Sequence, residues 1–326
     1  MDRDNLALSL TEKEQCIYSN KIKVVSRKSD CAVFRQKDEN GEIVKNKYSV
    51  FPGIDLIYND INTHESIANE PKSDTVFEIN HCKEGRIESE FNNEFYYLTP
   101  GDLSISCRSH TGYGSYFPLR HYQGITIKID ISKAPKCLSC FLDDVNVSPE
   151  NLMKKFNDGG KIYISRSNAS IEHIFSELYS VPDEIKKGYF KVKILELLLF
   201  LTTLDVSKNE NAEHSVSRSH VTFAKEICKY LTDHMESRVT IEMLSEVFHV
   251  SGTSIKTCFK SVYGVSLYSY IRTQKMQQAA IMLKTTDLNI LEIAGRLGYD
   301  NGSKFAKAFR DCYNTSPNDY RKNKLS

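Results

Sequence analysis

Between residues 77 and 129 apolar and polar side chains alternate with a period of two. Phe77, Ile79 and His81 interleave with Glu78, Asn80 and Cys82, and Ile87, Ser89 and Phe91 with Glu88 and Glu90. Leu103, Ile105 and Cys107 repeat the pattern, as do Ile125, Ile127 and Ile129. Successive strand residues point to opposite faces, so the alternation predicts half-buried strands. Phe51-Pro52-Gly53, Lys83-Glu84-Gly85 and Pro100-Gly101-Asp102 mark turns between the runs. Strands up to about Ile131 predict an antiparallel barrel or sandwich. The period then lengthens. Ser148-Pro149-Glu150 opens a helix, with Ser148 as N-cap and Pro149 at the first helical position. Residues 169–179 place Ile171, Ile174, Phe175 and Leu178 on one helical face, and 190–204 is a strongly apolar helix. The polar stretch 207–219 reads as an interdomain linker.

The C-terminal part contains an internal repeat. Phe259-Lys260-Ser261-Val262-Tyr263-Gly264-Val265-Ser266 recurs fifty residues later as Phe309-Arg310-Asp311-Cys312-Tyr313-Asn314-Thr315-Ser316. Gly264 and Asn314 suit the left-handed position just past a helix. Ser266 and Ser316 then cap the next helix, the second with Pro317 at its first position. Upstream of each copy is a pair of short helices with a tight turn. Residues 241–248 carry Leu244 and Phe248 inward, Val250 plugs the turn and Ser251 caps the helix to Tyr263. Residues 290–297 and about 301–313 repeat this, with Tyr299 in the role of Val250. This is the helix-turn-helix signature. Residues 267–284 form a connecting helix with Ile271, Met276, Ala279, Ala280 and Leu283 as apolar positions. A connector that holds two recognition helices about one duplex turn (roughly 34 Å) apart lets both enter successive major grooves.

Ile293-Ala294-x-x-x-Gly298-Tyr299, followed by Phe305, Phe309, Pro317 and Tyr320-Arg321, resembles the AraC/XylS family of transcriptional regulators, as does Ala279-Ala280-x-x-Leu283. The resemblance covers residues 222–322. It implies DNA-binding by Ser251, Thr253, Ser254, Lys256, Thr257 and Lys260 in the first unit, with Thr253, Lys256 and Thr257 facing base edges. Asn301, Ser303, Lys304 and Lys307 are the matching surface in the second. Lysine can donate to guanine, and threonine can hydrogen-bond or touch a thymine methyl. Gly302 and Ala306 fall where several relatives carry longer polar side chains, so the second unit is expected to contact mainly phosphate.

Leu98-Thr99-Pro100-Gly101-Asp102-Leu103 resembles the turn of cupin-like sensor domains, and residues 51–106 are similar to a subgroup related to siderophore-responsive regulators. The expected fold is therefore a two-domain α+β chain. Residues 1–135 form an antiparallel β cupin-like barrel, 136–206 a helical dimerisation segment, 207–219 the linker and 220–326 an all-α double helix-turn-helix domain. His81, Arg86, Tyr96 and Tyr113 are the candidate ligand contacts, His81 being also readable as a satisfied core histidine. The competing reading is a cupin-type metal-dependent enzyme with an accessory nucleic-acid-binding domain. Such a site needs two histidines one residue apart, and His81 is followed by Cys82-Lys83-Glu84. A non-enzyme is expected, without metal or cofactor. A third reading is a regulator governed by a protein partner or by its own abundance.

Net charge sharpens the division. The whole chain of 326 residues is +1, but from Ser219 onward 15 Lys and Arg face 10 Asp and Glu, giving +5. The remainder has 28 basic and 32 acidic residues, giving −4. A basic C-terminal part suits a polyanion. The nine cysteines are odd in number and scattered, and no signal-peptide pattern opens the chain, so reduced thiols and a cytoplasmic location are expected. Cys137-Leu138-Ser139-Cys140 is a lone C-x-x-C and is read as structural. The apolar run 194–201 is too short to span a bilayer. Expected partners are double-stranded DNA, RNA polymerase, an unidentified small-molecule effector to which the protein responds as an activator, and a second copy of the chain, with no membrane.

Overall fold

A computed structural model describes residues 10–11, 22–38, 41–66, 72–91, 94–107, 115–139, 146–157, 162–208, 214–237 and 239–322. The chain divides into two compact units, Met1–Ser217 and Arg218–Ser326.

The first unit is built on thirteen strands among the described residues: β1 Lys23–Arg27, β2 Cys31–Asp38, β3 Gly41–Phe51, β4 Ile54–Asn62, β5 Glu65–Ser66, β6 Val76–Gly85, β7 Ile87–Phe91, β8 Glu94–Leu98, β9 Asp102–Cys107, β10 Ser115–Tyr116, β11 Tyr122–Asp130, β12 Tyr163–Arg166 and β13 Ser215–Val216. Eight form a sheet in the order β1-β2-β3-β4-β11-β6-β9-β12, and five form a second, β13-β8-β7-β10-β5. Every strand pairing among the described residues is antiparallel; Ile127, for example, lies opposite Leu56 on one side and Ile79 on the other. The predicted alternation thus becomes one buried face, with Phe77, Ile79, Leu103, Ile105, Ile125, Ile127 and Ile129 in a single core. Both sheets have free ends, so the strands make two open sheets rather than one closed barrel.

Three helices complete that core: α1 Pro149–Phe156, α2 Ala169–Leu178 and α3 Lys186–Thr203. Ser148 accepts from the Asn151 amide and Asn168 from that of Ile171, capping the first two. Ile171, Ile174 and Phe175 of α2 and Ile194, Leu197 and Leu198 of α3 pack on the eight-stranded sheet. The stretch 136–206 is therefore not helical throughout, and its helices share the core of the sheet. It also supplies β12, which pairs with β9. Tyr163 joins the helix-covered core while Ile164 joins a second cluster with Phe91 and Tyr96. A strand buried on both faces shows no alternation, which is why periodicity missed it. Within 207–219, Ser215–Val216 likewise forms a strand, paired to β8, and not free linker.

The second unit is helical: α4 Arg218–Asp233, α5 Ile241–Phe248, α6 Gly252–Tyr263, α7 Leu267–Thr285, α8 Ile290–Arg296, α9 Gly302–Tyr313 and α10 Pro317–Lys322. Met276, Ala279, Ala280 and Leu283 of α7 pack with Ile293 and Ala294 of α8 and with Phe305 and Phe309 of α9. Ile271 is only half-buried; Tyr270 and Gln274 face inward instead. No described helix is long and apolar enough to cross a membrane.

Candidate nucleic-acid interface

Each recognition helix is stopped at both ends by local chemistry. Ser251 caps α6 by accepting from the Ser254 amide at 3.2 Å, and its hydroxyl lies 2.9 Å from that of Ser254. Asn301 caps α9 by accepting from the amides of Ser303 at 2.7 Å and Lys304 at 3.4 Å. These acceptor groups are therefore committed to the backbone, which narrows what Ser251 and Asn301 can offer to a base. At the other ends, Gly264 and Asn314 adopt the left-handed conformation, with φ of 75° and 53°. Their amides bond to the carbonyls of Lys260 and Arg310.

An aromatic triad anchors each helix from behind, and the two triads are spaced by the same fifty residues. Phe259 stacks on Tyr263 with centroids 4.3 Å apart, and Tyr270 meets both edge-on. Phe309 stacks on Tyr313 at 4.7 Å, and Tyr320 closes the second triad. The α7 helix, 19 residues long or about 28 Å at 1.5 Å per residue, connects the two helix-turn-helix repeats within the second unit. Arg272 of α7 pairs with Asp311 of α9.

With Ile255, Cys258, Phe259 and Val262 buried, α6 leaves Thr253, Ser254, Lys256, Thr257 and Lys260 exposed. On α9, Ser303, Lys304, Lys307 and Arg310 are exposed and Ala306 is half-buried. Arg310 stands fifty residues after Lys260 and extends the predicted basic face; the repeat was its sequence signal. Gly302 does not belong to the reading surface. A Cβ there would come within 2.6 Å of Leu291, as one on Gly252 would of Ile241. Glycine at the first turn thus serves the close approach of the two helices in both units. The asymmetry between them rests on Ala306 opposite Lys256, not on Gly302.

The candidate ligand contacts do not gather in one place. His81 is 3% exposed and stacks on Phe175 of α2, with Nε2 3.1 Å from Glu172 Oε1 and Nδ1 buried without a partner. Its ring lies on the helix-covered face, not between the sheets. Burial pushes its pKa down, partly offset by Glu172. Arg86 lies 4.7 Å above the Tyr97 ring, and Tyr96 bonds Glu94, both on the side of the five-stranded sheet. Tyr113 and Cys140 fall outside the described residues. Cys137 is half-buried, with Sγ 3.9 Å from the Ser139 hydroxyl.

A family model of a helix-turn-helix domain matches residues 244–323. The transposon Tn10 TetD protein of Escherichia coli is 28% identical over 119 residues, 36% of this chain and 86% of that protein. The arabinose operon regulatory protein of Escherichia coli K12 is 24% identical over 148 residues, 45% of this chain and 51% of its own length. Among solved structures, the C-terminal domain of AraT, a response regulator from Geobacillus stearothermophilus, shares 32% identity over 32% of this chain and 84% of that chain, with a TM-score of 0.30. The chain thus spans about half of the arabinose regulator. With the matching helix-turn-helix region and the repeated caps and triads, the C-terminal part of this chain is an AraC-type helix-turn-helix domain.

Proposed function

We propose that this regulator responds to a small molecule. Its N-terminal unit acts as a cupin-like sensor, and it binds its promoter as a homodimer and activates transcription by engaging RNA polymerase. The observation that carries the DNA-reading part is the exposed row Thr253, Lys256 and Thr257 on α6, rigidly backed by the Phe259 triad. A pre-ordered helix pays little ordering cost on binding, and this row offers donors and a methyl to base edges. On α9 the row reads Ser303, Ala306 and Lys307, so this helix contributes mainly phosphate contact. Support for dimerisation comes from α3 and the residue before it. Ile185, Val192 and Leu199, seven residues apart, are 50%, 62% and 41% exposed, an apolar seam that a second copy would cover.

The test uses duplexes selected from random sequence by the full-length protein. Lys256→Ala should cost ~1–3 kcal/mol on the selected sequence and relax preference at one base position. Lys307→Ala should weaken binding to all sequences and reduce the salt slope by about one. If Lys256→Ala binds the selected duplex as the parent does, α6 does not read bases in this orientation.

A further inference from the structure

Lys275 of α7 stands apart from the lysines of the recognition helices. Lys256 and Lys307 are exposed on α6 and α9. Lys275 is 8% exposed, and burial pushes its pKa down. Its Nζ donates to the Ser237 carbonyl oxygen at 3.3 Å. The same Nζ lies 3.1 Å from where a Cβ on Gly298 would stand, and the Glu236 carbonyl oxygen lies 2.8 Å from that point. Three parts of the chain therefore meet: the end of α4, the middle of α7 and the turn between α8 and α9. Each outer part is fixed to its own repeat. The Ser237 amide donates to the His234 carbonyl at 3.0 Å and the His234 amide to that of Tyr230 at 3.1 Å, so Glu236 and Ser237 continue the end of α4. That helix packs through Phe223 and Tyr230 on Phe248 of α5. On the other side, the amides of Gly298 and Tyr299 donate to the carbonyls of Gly295 and Ala294, both at 2.9 Å, which closes the turn onto α8 just before the Asn301 cap of α9.

We propose that Lys275 is a positioning residue that clamps the two helix-turn-helix repeats to each other, so that α6 and α9 meet DNA at one fixed spacing and angle. Bodies joined at one connection can hinge about it. Here α7 is one connection, and the junction of Glu236, Ser237 and Gly298 on the Lys275 ammonium is a second, off the chain path between the repeats. An ammonium suits this place because it donates to backbone carbonyls, which every sequence of the α4 turn supplies, and because leaving those carbonyls buried and unpaired is costly. Gly298 suits it because any side chain would push the Glu236 carbonyl away. Fixing the repeats in advance lowers the ordering cost of binding the right duplex. It also rejects a duplex whose contacts are displaced, since fitting that duplex requires opening the clamp. Lys275 thus contributes specificity without touching a base. The inference rests on the reading of α6 and α9 as helices that contact the same duplex.

The test uses the full-length protein and a duplex carrying one half-site from the selected sequences. One base pair is inserted between the segments that footprinting of the Lys256→Ala and Lys307→Ala variants assigns to α6 and α9. The insertion moves the two contacts apart by about 3.4 Å and turns one by about 35° around the duplex. The parent should lose at least tenfold in affinity. Lys275→Met, which keeps the unbranched stem and removes the ammonium, should bind the original duplex more weakly but lose no more than threefold on insertion. Lys275→Arg, which keeps a donor, should restore the parent's penalty. A merely structural role would lower affinity for both duplexes alike, so a tenfold insertion penalty retained in Lys275→Met overturns the clamp. Gly298→Ala attacks the same junction from the turn side and should relax the spacing in the same way. The parent alone also decides the matter if these variants do not fold: a loss below threefold on insertion overturns the fixed spacing. If Lys307→Ala also leaves the parent's affinity unchanged, the reading of α9 fails, and the clamp's role fails with it. A penalty that depends on Lys307 but not on Lys275 overturns the clamp alone.

Discussion

His81 shows how a single residue is legible in kind but not in surroundings. Its place in an alternating run fixed which neighbours share its face, Phe77 and Ile79. What covers that face is Phe175, 94 residues away in sequence. The ring is held neutral by burial against the opposing pull of Glu172. In the unfolded chain it titrates near ~6.5. A depressed folded pKa means that its contribution to stability is present above that value and lost as pH falls below it. The N-terminal unit should melt at a lower temperature at pH 5 than at pH 7, and His81→Phe should flatten part of that slope. Equal slopes for parent and variant in a melting series would remove His81 as a cause. The ligand-contact expectation for Arg86 and Tyr96 was legible only as residue type. Each side chain is committed within the five-stranded sheet, to Tyr97 and Glu94, through contacts that no local pattern announces.

At the level of elements, the helical half was the more readable. Caps, left-handed stops and the fifty-residue repeat are local signals, and the structure places a hydrogen bond or a positive φ at each: Ser251, Ser266 and Ser316 as caps, Gly264 and Asn314 as stops. The repeated triads follow from that same spacing. Phe309→Ala should therefore destabilise the second unit by about 3–5 kcal/mol, read as a shift of the corresponding thermal transition, because its ring is fully buried between Tyr313 and Tyr320. Gly298 is more specific still. It has φ +71°, and a Cβ would lie 2.8 Å from the Glu236 carbonyl oxygen. Gly298→Ala should cost more than about 1 kcal/mol and weaken DNA binding through the turn before α9. Unchanged stability in denaturant titration would contradict that turn geometry. By contrast β12 and β13 escaped the sequence, one because both its faces are buried and the other because two residues carry no period.

For the whole molecule, two separate cores predict two thermal transitions, with Phe309→Ala moving one and leaving the other in place. Calorimetry showing a single transition shifted as a unit would contradict independent units. The seam of Ile185, Val192 and Leu199 predicts that Val192→Asp lowers the dimer fraction at least tenfold in light scattering without moving either transition, since Val192 is 62% exposed in the single chain. The sequence by itself determined the two-domain α+β class, the helix-turn-helix pattern of the C-terminal part and the exposed face of α6. These rest on signals that lie within one helix, one turn or one alternating run. Only the tertiary structure decided that the strands form two open sheets, that the 136–206 helices share the core of the eight-stranded sheet, that His81 lies under a helix, and that Gly302 packs on its partner helix while Arg310 joins the basic face. Those depend on which surfaces meet across long stretches of chain, and periodicity records which face is apolar but not what comes to cover it.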